Sequence, residues 1–221
     1  SRTTPPGLSI ENLPVIDIIV ISHNHYDHLD YQTIRQIAKQ QNNNQPLILV
    51  PLKLKKLLES FGATNVQELE WWGTVKAANL KIHSVPVQHW SNRGFNANKT
   101  LWCGWVFETK NFKCIFVGDT GYSKDFLTIQ EKFGRIDLAL IPIGAYAPRW
   151  FMKDHHCNVE EAIQIHKDLN SKNSVAMHWG TFQLTDEPMD EPPKLLKSLS
   201  SKNNLLNDEF IAMKHGETKI I

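Results

Sequence analysis

Cysteine is scarce in this sequence: Cys103, Cys114 and Cys157 are the only three in 221 residues, and no C-x-x-C pair occurs. Three thiols build no even disulfide framework, and free thiols point to a reducing, cytoplasmic compartment. Long apolar runs are also missing. Val15–Ile21 is broken by Asp17, and Leu138–Ala147 contains a proline and a glycine. Both fall short of the ~18 apolar residues that a membrane span requires. No charged–apolar–small leader opens the chain. Charge of one sign is absent as well: 24 Lys+Arg against 23 Asp+Glu leave a net charge of +1. That balance argues against a basic nucleic-acid face, so no nucleic-acid partner is expected. Neither G-x-G-x-x-G nor G-x-x-x-x-G-K-[ST] occurs, which leaves a nucleotide-binding doubly wound sheet without support. There is no internal repeat at 20–50 residues.

What is present is a globular composition, 41% apolar and 21% charged, of a length suited to a single domain over residues 1–221. Short β-rich runs alternate with helical ones. Val15–Ser22, Leu47–Val50, Leu80–Val87, Ile136–Ile143, Ser174–His178 and Glu209–Lys214 read as strands. Trp102–Thr109 and Lys113–Val117 flank a hairpin-like pair, Lys110-Asn111. His215-Gly216-Glu217 reads as a turn into Thr218–Ile221. Apolar residues at helical spacing predict helices over Tyr31–Gln40, Leu52–Phe61, Asp125–Phe133 and Val159–Leu169, with a further one over Pro192–Leu199. Asn158 and Glu161 form a capping-box pattern ahead of the fourth.

The chemistry concentrates in His23-Asn-His-Tyr-Asp-His28, directly after the first strand. Alternation at a strand end sends His23 and His25 to one side. Asp27 and His28 come from the turn and can point elsewhere, so one loop can feed two metal ions. A bimetallic site needs roughly six or seven protein groups, one of them bridging. The loop supplies four. His89, Asp119 and His178 each end a strand-like run and precede loop or glycine, where sheet scaffolds present active groups. Taken singly, a strand-end His is usually only a histidine, and Asp in Gly-Asp-Thr-Gly usually serves an Asx-turn. Three imidazoles and a carboxylate within six residues have no such ordinary explanation, and they raise the later three with them.

Other residues carry two readings each. His156, before the N-cap Asn158, is either a donor to a phosphate at the helix N-terminus or a surface His. Arg149-Trp-Phe-Met152 is either an aromatic lip over an acyl chain or core. Trp71, Trp72 and Trp90 read as core or rim, with membrane contact as the alternative. Arg93 is either a phosphate contact or a solvated loop residue. His83, His166 and His215 are assigned no role, and Cys157 is not read as a nucleophile.

The order His23-x-His25-x-Asp27-His28, His89, Asp119, His178 resembles the metallo-β-lactamase superfamily of binuclear hydrolases. Narrower stretches resemble the N-acyl-phosphatidylethanolamine-hydrolysing phospholipase D family and its bacterial relatives, between about Pro5 and Pro193. These are Ile21–Tyr31, Gly118-Asp-Thr-Gly-Tyr122, Ile141–Met152 and Ala176-Met-His-Trp-Gly-Thr-Phe182. The resemblance implies a four-layer αβ/βα sandwich, in α+β or α/β terms, with two Zn²⁺ ions at one edge of two facing sheets. His23, His25 and His89 would hold the first ion and Asp27, His28 and His178 the second. Asp119 would bridge them, and Tyr26 and His156 would lie at the substrate. Asp27, Asp119 and His156 are the expected catalytic residues, Asp27 also as a proton relay. A bridging Asp119, which the superfamily's true β-lactamases lack, favours a phosphoester or thioester substrate.

The implied activity is phospholipase D-type hydrolysis of N-acyl-phosphatidylethanolamine to N-acylethanolamine and phosphatidic acid. It brings a phospholipid partner, transient peripheral contact with a membrane surface, and a homodimer. Lactone or nucleic-acid phosphodiester hydrolysis on the same site, or a metal-binding remnant without turnover, are the alternatives. Only 22 residues precede the motif and the chain starts without Met. The family places strands there, so the first half-sandwich is expected to be incomplete.

Overall fold

The computed structural model describes residues 2–220. Two sheets face one another. The smaller is parallel, in the order β1 (Ile18–Val20), β2 (Leu47–Pro51), β3 (Val66–Leu69). The larger runs β10-β9-β8-β7-β6-β5-β4. These strands are β4 (Thr74–Ala77), β5 (Leu80–Val85), β6 (Gly104–Glu108), β7 (Lys113–Phe116), β8 (Leu138–Pro142), β9 (Asn173–Met177) and β10 (Phe210–Ile211). Its β4–β7 half is antiparallel and its β7–β10 half parallel.

Strand alternation sorts the side chains into layers. On β2, Ile48 and Val50 pack with Ile34 and Leu58, on α1 (Tyr31–Gln40) and α2 (Lys55–Ser60). Leu49, between them, turns to the other sheet and meets Ile82 and Trp105. On the larger sheet, Val106 and Ile115 face outward. They join Phe126 and Ile129 of α3 (Asp125–Phe133), Ile163 of α5 (Val159–Asp168) and Leu196 of α6 (Glu191–Lys202). The result is helix, sheet, sheet, helix: the four-layer αβ/βα sandwich that the resemblance implied.

Helices α1 and α3 form over the predicted residues, and the capping box is formed. Asn158 Oδ1 accepts from the Glu161 N–H at 2.9 Å, and Glu161 Oε2 accepts from the Asn158 N–H at 3.0 Å. The β6–β7 hairpin closes through Thr109 N–H to Phe112 O at 2.9 Å. The turn at His215–Gly216 is present, whereas the terminal Ile221 lies outside the described residues. The first strand is shorter than Val15–Ser22, because Val15 is exposed and only Ile18–Val20 find a partner strand. Likewise Glu209–Lys214 reduces to two paired residues. Strands β3 and β4 and the short helix α4 (Arg149–Met152) were not expected. The two strands are four-residue pieces defined by partners, not by their own pattern.

Trp105 pins the layers together. It is fully buried between the sheets, and its indole N–H donates to Ile21 O at 3.1 Å. Beside it, Cys103 N–H donates to Ser22 O at 2.9 Å. Both bonds tie the larger sheet to the residues just before His23. Replacing Trp105 by Ala is expected to remove about 3–5 kcal/mol of stability, read as a lower urea midpoint at unchanged slope.

His166 is buried with Nδ1 2.8 Å from Ser174 Oγ and Nε2 3.2 Å from Glu209 Oε1. Burial lowers its pKa, against the opposing pull of Glu209. The folded value therefore lies below the unfolded one of about 6.5. Its contribution is complete above that pH and is lost as pH falls through the folded value. The stability gap between the native chain and His166→Gln is expected to narrow from pH 7 to pH 5. A constant gap in parallel denaturant titrations contradicts this.

Candidate metal centre

All seven metal-type residues converge at one edge of the sandwich, as two groups that share Asp119. The first is His23, His25, His89 and Asp119; the second is Asp27, His28, Asp119 and His178. The loop after β1 supplies four of them. His89 follows β5, Asp119 follows β7 and His178 follows β9, so the larger sheet supplies the rest.

Local backbone aims these groups. Gly118, at φ +71°, turns the chain into Asp119, and a side chain there would meet Ser22 Cβ at 2.8 Å. His178 itself is left-handed, φ 57°, where the strand ends. That conformation costs a non-glycine residue on the order of 1–3 kcal/mol. It swings the ring to 3.3 Å from Asp119 Oδ2. The carbonyl of His178 would lie 2.2 Å from any Cβ on Gly144, so only glycine fits opposite it.

Asp119 Oδ2 is the point of convergence. His28 Nε2 stands 3.0 Å away, His178 Nε2 3.3 Å, His23 Nε2 3.7 Å and His89 Nε2 3.8 Å. Within the first group His25 Nδ1 lies 2.9 Å from His23 Nε2 and 3.4 Å from His89 Nε2. Within the second, Asp27 Oδ2 lies 3.5 Å from His28 Nε2 and 3.4 Å from His178 Nε2. The far nitrogens are anchored: His89 Nδ1 to His155 O at 2.9 Å and His23 Nδ1 to Ser22 Oγ at 3.0 Å. Such bonds orient metal-binding imidazoles.

A cation fits this arrangement on grounds of polarity. Asp119 Oδ1 is buried without a hydrogen-bond partner among the described residues, and His28 Nε2 faces only the carboxylates of Asp119 and Asp27. Ring nitrogens and carboxylate oxygens converge on one another rather than on donors. Imidazole and carboxylate, with no thiolate, suit a divalent transition-metal ion. Burial pushes the Asp119 carboxyl up, but the neighbouring His178 and His28 charges outweigh it and hold it well below the usual range. Burial also opposes charge on His28 and His178, yet Asp119 raises them to about 9 and about 10. His89, where burial dominates, falls to about 3. Without an ion, protons on two imidazoles thus supply the positive charge the carboxylates require.

His156 is buried beside both groups, its ring 5.1 Å from that of His89 and 5.4 Å from that of His178. Its Nδ1 has no partner among the described residues, and burial, against Asp119, takes its pKa down to about 4. Tyr26 is 65% exposed at the mouth. Trp150 and Phe151 are exposed, and Phe151 and Met152 line a cavity of about 690 Å³ that reaches His25, Asp119 and His156, so this segment is a lip and not core. Arg149 is a strut: it donates to Glu161 at 2.8 and 3.0 Å and to His156 O at 2.7 Å. Trp71 is partly buried and donates to Trp102 O at 2.6 Å, while Trp90 lies against His25. Cys157 is buried and donates to Pro142 O, and burial pushes its thiol up.

Two residues act here in ways the sequence did not disclose. Arg93 meets neither expectation. It donates to Asn24 O at 3.2 Å and Leu29 O at 2.7 Å, and lies 4.1 Å from the Tyr26 ring centroid. It therefore bridges the two ends of the ligand loop. The buried Glu187 carboxylate accepts from the N–H groups of Ala145, Tyr146 and Ala147 at 2.6, 3.2 and 3.0 Å. Proximity of Arg93 to His89-Trp90 was the only available signal, and Glu187 had none.

Residues 1–179 match the family model described as the beta-lactamase superfamily domain, and the chain belongs to that superfamily. It is 40% identical over 229 residues to N-acyl-phosphatidylethanolamine-hydrolyzing phospholipase D 1 of Caenorhabditis elegans, covering 98% of this chain and 64% of that protein. It is 41% identical over 207 residues to the mitochondrial N-acyl-phosphatidylethanolamine-hydrolyzing phospholipase D of Saccharomyces cerevisiae, covering 90% of this chain and 44% of that one. The chain thus spans less than two-thirds of the length of these curated relatives. In fold it is similar to the crystal structure of isothiocyanate hydrolase from Delia radicum gut bacteria. There the TM-score is 0.74 at 21% identity, over 97% of this chain and 80% of the other. Among the described residues no helix is long and apolar enough to cross a membrane.

Loss of the Arg93 bridge is expected to loosen the loop that carries four of the candidate ligands. Arg93→Ala is predicted to raise the Kd for Zn²⁺ about 10–100-fold, as changes behind metal ligands commonly do. Competition with a chromophoric chelator measures this directly, and an unchanged Kd contradicts it.

Proposed function

We propose that this chain is a zinc-dependent phosphodiesterase. It cleaves N-acyl-phosphatidylethanolamine to N-acylethanolamine and phosphatidic acid. The observation that carries the reading is the pair of ligand groups sharing the Asp119 carboxylate. The 40% identity to proteins named for that hydrolysis supports the substrate. His23, His25 and His89 would hold one Zn²⁺, Asp27, His28 and His178 the other, with Asp119 between them. When bound, the two ions would supply a water of lowered pKa and offset negative charge growing on a phosphoryl oxygen.

The remaining work falls to side chains. His156 is neutral at physiological pH and offers one N–H to a phosphoryl oxygen. Asp27 lines both the cavity that reaches His156 and a smaller one that reaches His28 and His178, and is placed to accept a proton from the attacking water and pass it to the leaving oxygen. Tyr26, Phe151 and Leu184 line the mouth, and Phe95 and Trp150 adjoin lining residues in sequence. These five are among eleven large apolar side chains that the described chain exposes. The gathering of exposed Tyr26, Phe151 and Leu184 at one opening supports transient contact of this rim with a lipid surface.

Zn-loaded protein incubated with N-acyl-phosphatidylethanolamine in micelles is expected to yield both products by mass spectrometry. Asp119→Asn is expected to lower turnover by about 100-fold or more, beyond the cost of changes behind the ligands. Full zinc occupancy with no product would favour the non-catalytic remnant. Hydrolysis of a lactone or a nucleic-acid phosphodiester alone would reassign the substrate.

A further inference from the structure

The ring of His156 faces the candidate centre with little to hold it. Its Nδ1 is buried without a partner among the described residues, and the ring packs only edgewise or tilted against those of His89 and His178. The residue belongs to no helix or strand. It lies in the short turn between α4 and the N-cap Asn158 of α5. The direction of the ring is therefore set through its main chain.

Both main-chain polar groups of His156 are bonded to α4. The N–H donates to Met152 O at 2.8 Å, and the carbonyl accepts from Arg149 Nη1 at 2.7 Å. Arg149 Nη2 reaches a different partner and donates to Glu161 Oε1 and Oε2 at 3.0 and 2.8 Å. Glu161 is itself fixed, because its Oε2 also accepts from the Asn158 N–H in the capping box. One guanidinium thus joins the lip, the His156 carbonyl and the first turn of α5. The flanks of His156 are tied elsewhere: the His155 carbonyl to His89 Nδ1 at 2.9 Å, and the Cys157 N–H to Thr120 O at 2.6 Å. Arg149 holds the residue between them.

The residue type suits this task. A rigid, permanently charged fork of donors serves a carbonyl and a carboxylate at once, whereas an ammonium is a point donor on a flexible stem. Both terminal nitrogens of Arg149 are engaged inside the protein. We propose that Arg149 is a positioning residue, which aims the His156 ring at the phosphoryl oxygen through the His156 main chain. This rests on the phosphodiesterase reading above and adds what sets the geometry of its donor. A ring without side-chain anchors moves with its backbone, and a misplacement of about 1 Å can cost on the order of 100-fold in rate.

Arg149→Lys keeps the charge and gives up the fork. It is expected to lower kcat on N-acyl-phosphatidylethanolamine about 10-fold or more. The decisive comparison is with His156→Gln. The double variant is expected to be no slower than His156→Gln alone, because residues that act through one another do not add. Additive losses place the effect of Arg149 in general stability or charge and overturn the proposal. Calorimetric titration of the Zn-loaded protein with inorganic phosphate gives a second readout that needs no turnover. Each single variant is expected to raise the phosphate Kd about 10-fold, the scale of one hydrogen bond to a charged group, and the double variant no further. Independent effects of the two changes, or no effect of either, overturn the proposal. If phosphate binding follows the expected pattern while the lipid is not cleaved, the lipid reading fails and the positioning role stands. Cleavage of the lipid with additive losses has the opposite meaning.

Discussion

A buried carboxylate surrounded by imidazoles is the constraint on which the rest of this structure depends. Asp119 is 2% exposed, and one of its oxygens has no hydrogen-bond partner among the described residues. A lone carboxylate in such a place is costly, because the low-dielectric interior replaces none of its hydration. Positive charge must therefore sit beside it, as protons on His28 and His178 or as a cation between the rings. The four Nε2 atoms around Asp119 come from the loop after β1 and from the ends of β5 and β9. The demand of one carboxylate thus reaches both sheets.

That geometry makes the centre a joint of the sandwich. The smaller sheet delivers His23, His25, Asp27 and His28, and the larger delivers His89, Asp119 and His178. Trp105 and Cys103 fasten the sheets one or two residues ahead of His23. A cation bound by both sets adds a crosslink where the hydrophobic contact between the sheets ends. Anything binding only the folded chain stabilises it by mass action, and a ligand set divided between two sheets does not exist in an unfolded one. Closure of the sandwich and occupancy of the centre are accordingly linked equilibria.

Much of this was legible in the residue order, for a physical reason. His23–His28 concentrates ligands within one loop, and Asn158 with Glu161 satisfies helix-end donors three residues apart; both are local devices. The four layers were implied by the family resemblance, and alternation along β2 realises them, Ile48 and Val50 facing the helices and Leu49 the other sheet. What stayed hidden depends on distant partners. Strand β3 exists because β2 offers it a ladder, and Val15 lacks a neighbour despite its β-branched side chain. Arg93 reaches carbonyls 64 and 69 positions away, and Glu187 reaches amides 40 to 42 positions away. A guanidinium bound to main-chain carbonyls leaves no trace in the side-chain types of its partners.

Glu187 shows how such a contact shapes function at a distance. Its carboxylate takes three successive N–H groups and so fixes Ala145 in a left-handed conformation, φ 67°. Ala145 lines both cavities that open on the candidate centre, and its neighbour Gly144 packs against the carbonyl of His178. A single carboxylate therefore sets one boundary of both cavities and the seat of a candidate ligand together. Charge-assisted bonds to backbone N–H are strong enough to hold a loop without apolar packing. The backbone of residues 145–147 is thereby held beside the candidate centre with only a methyl group at Ala145 facing the cavities.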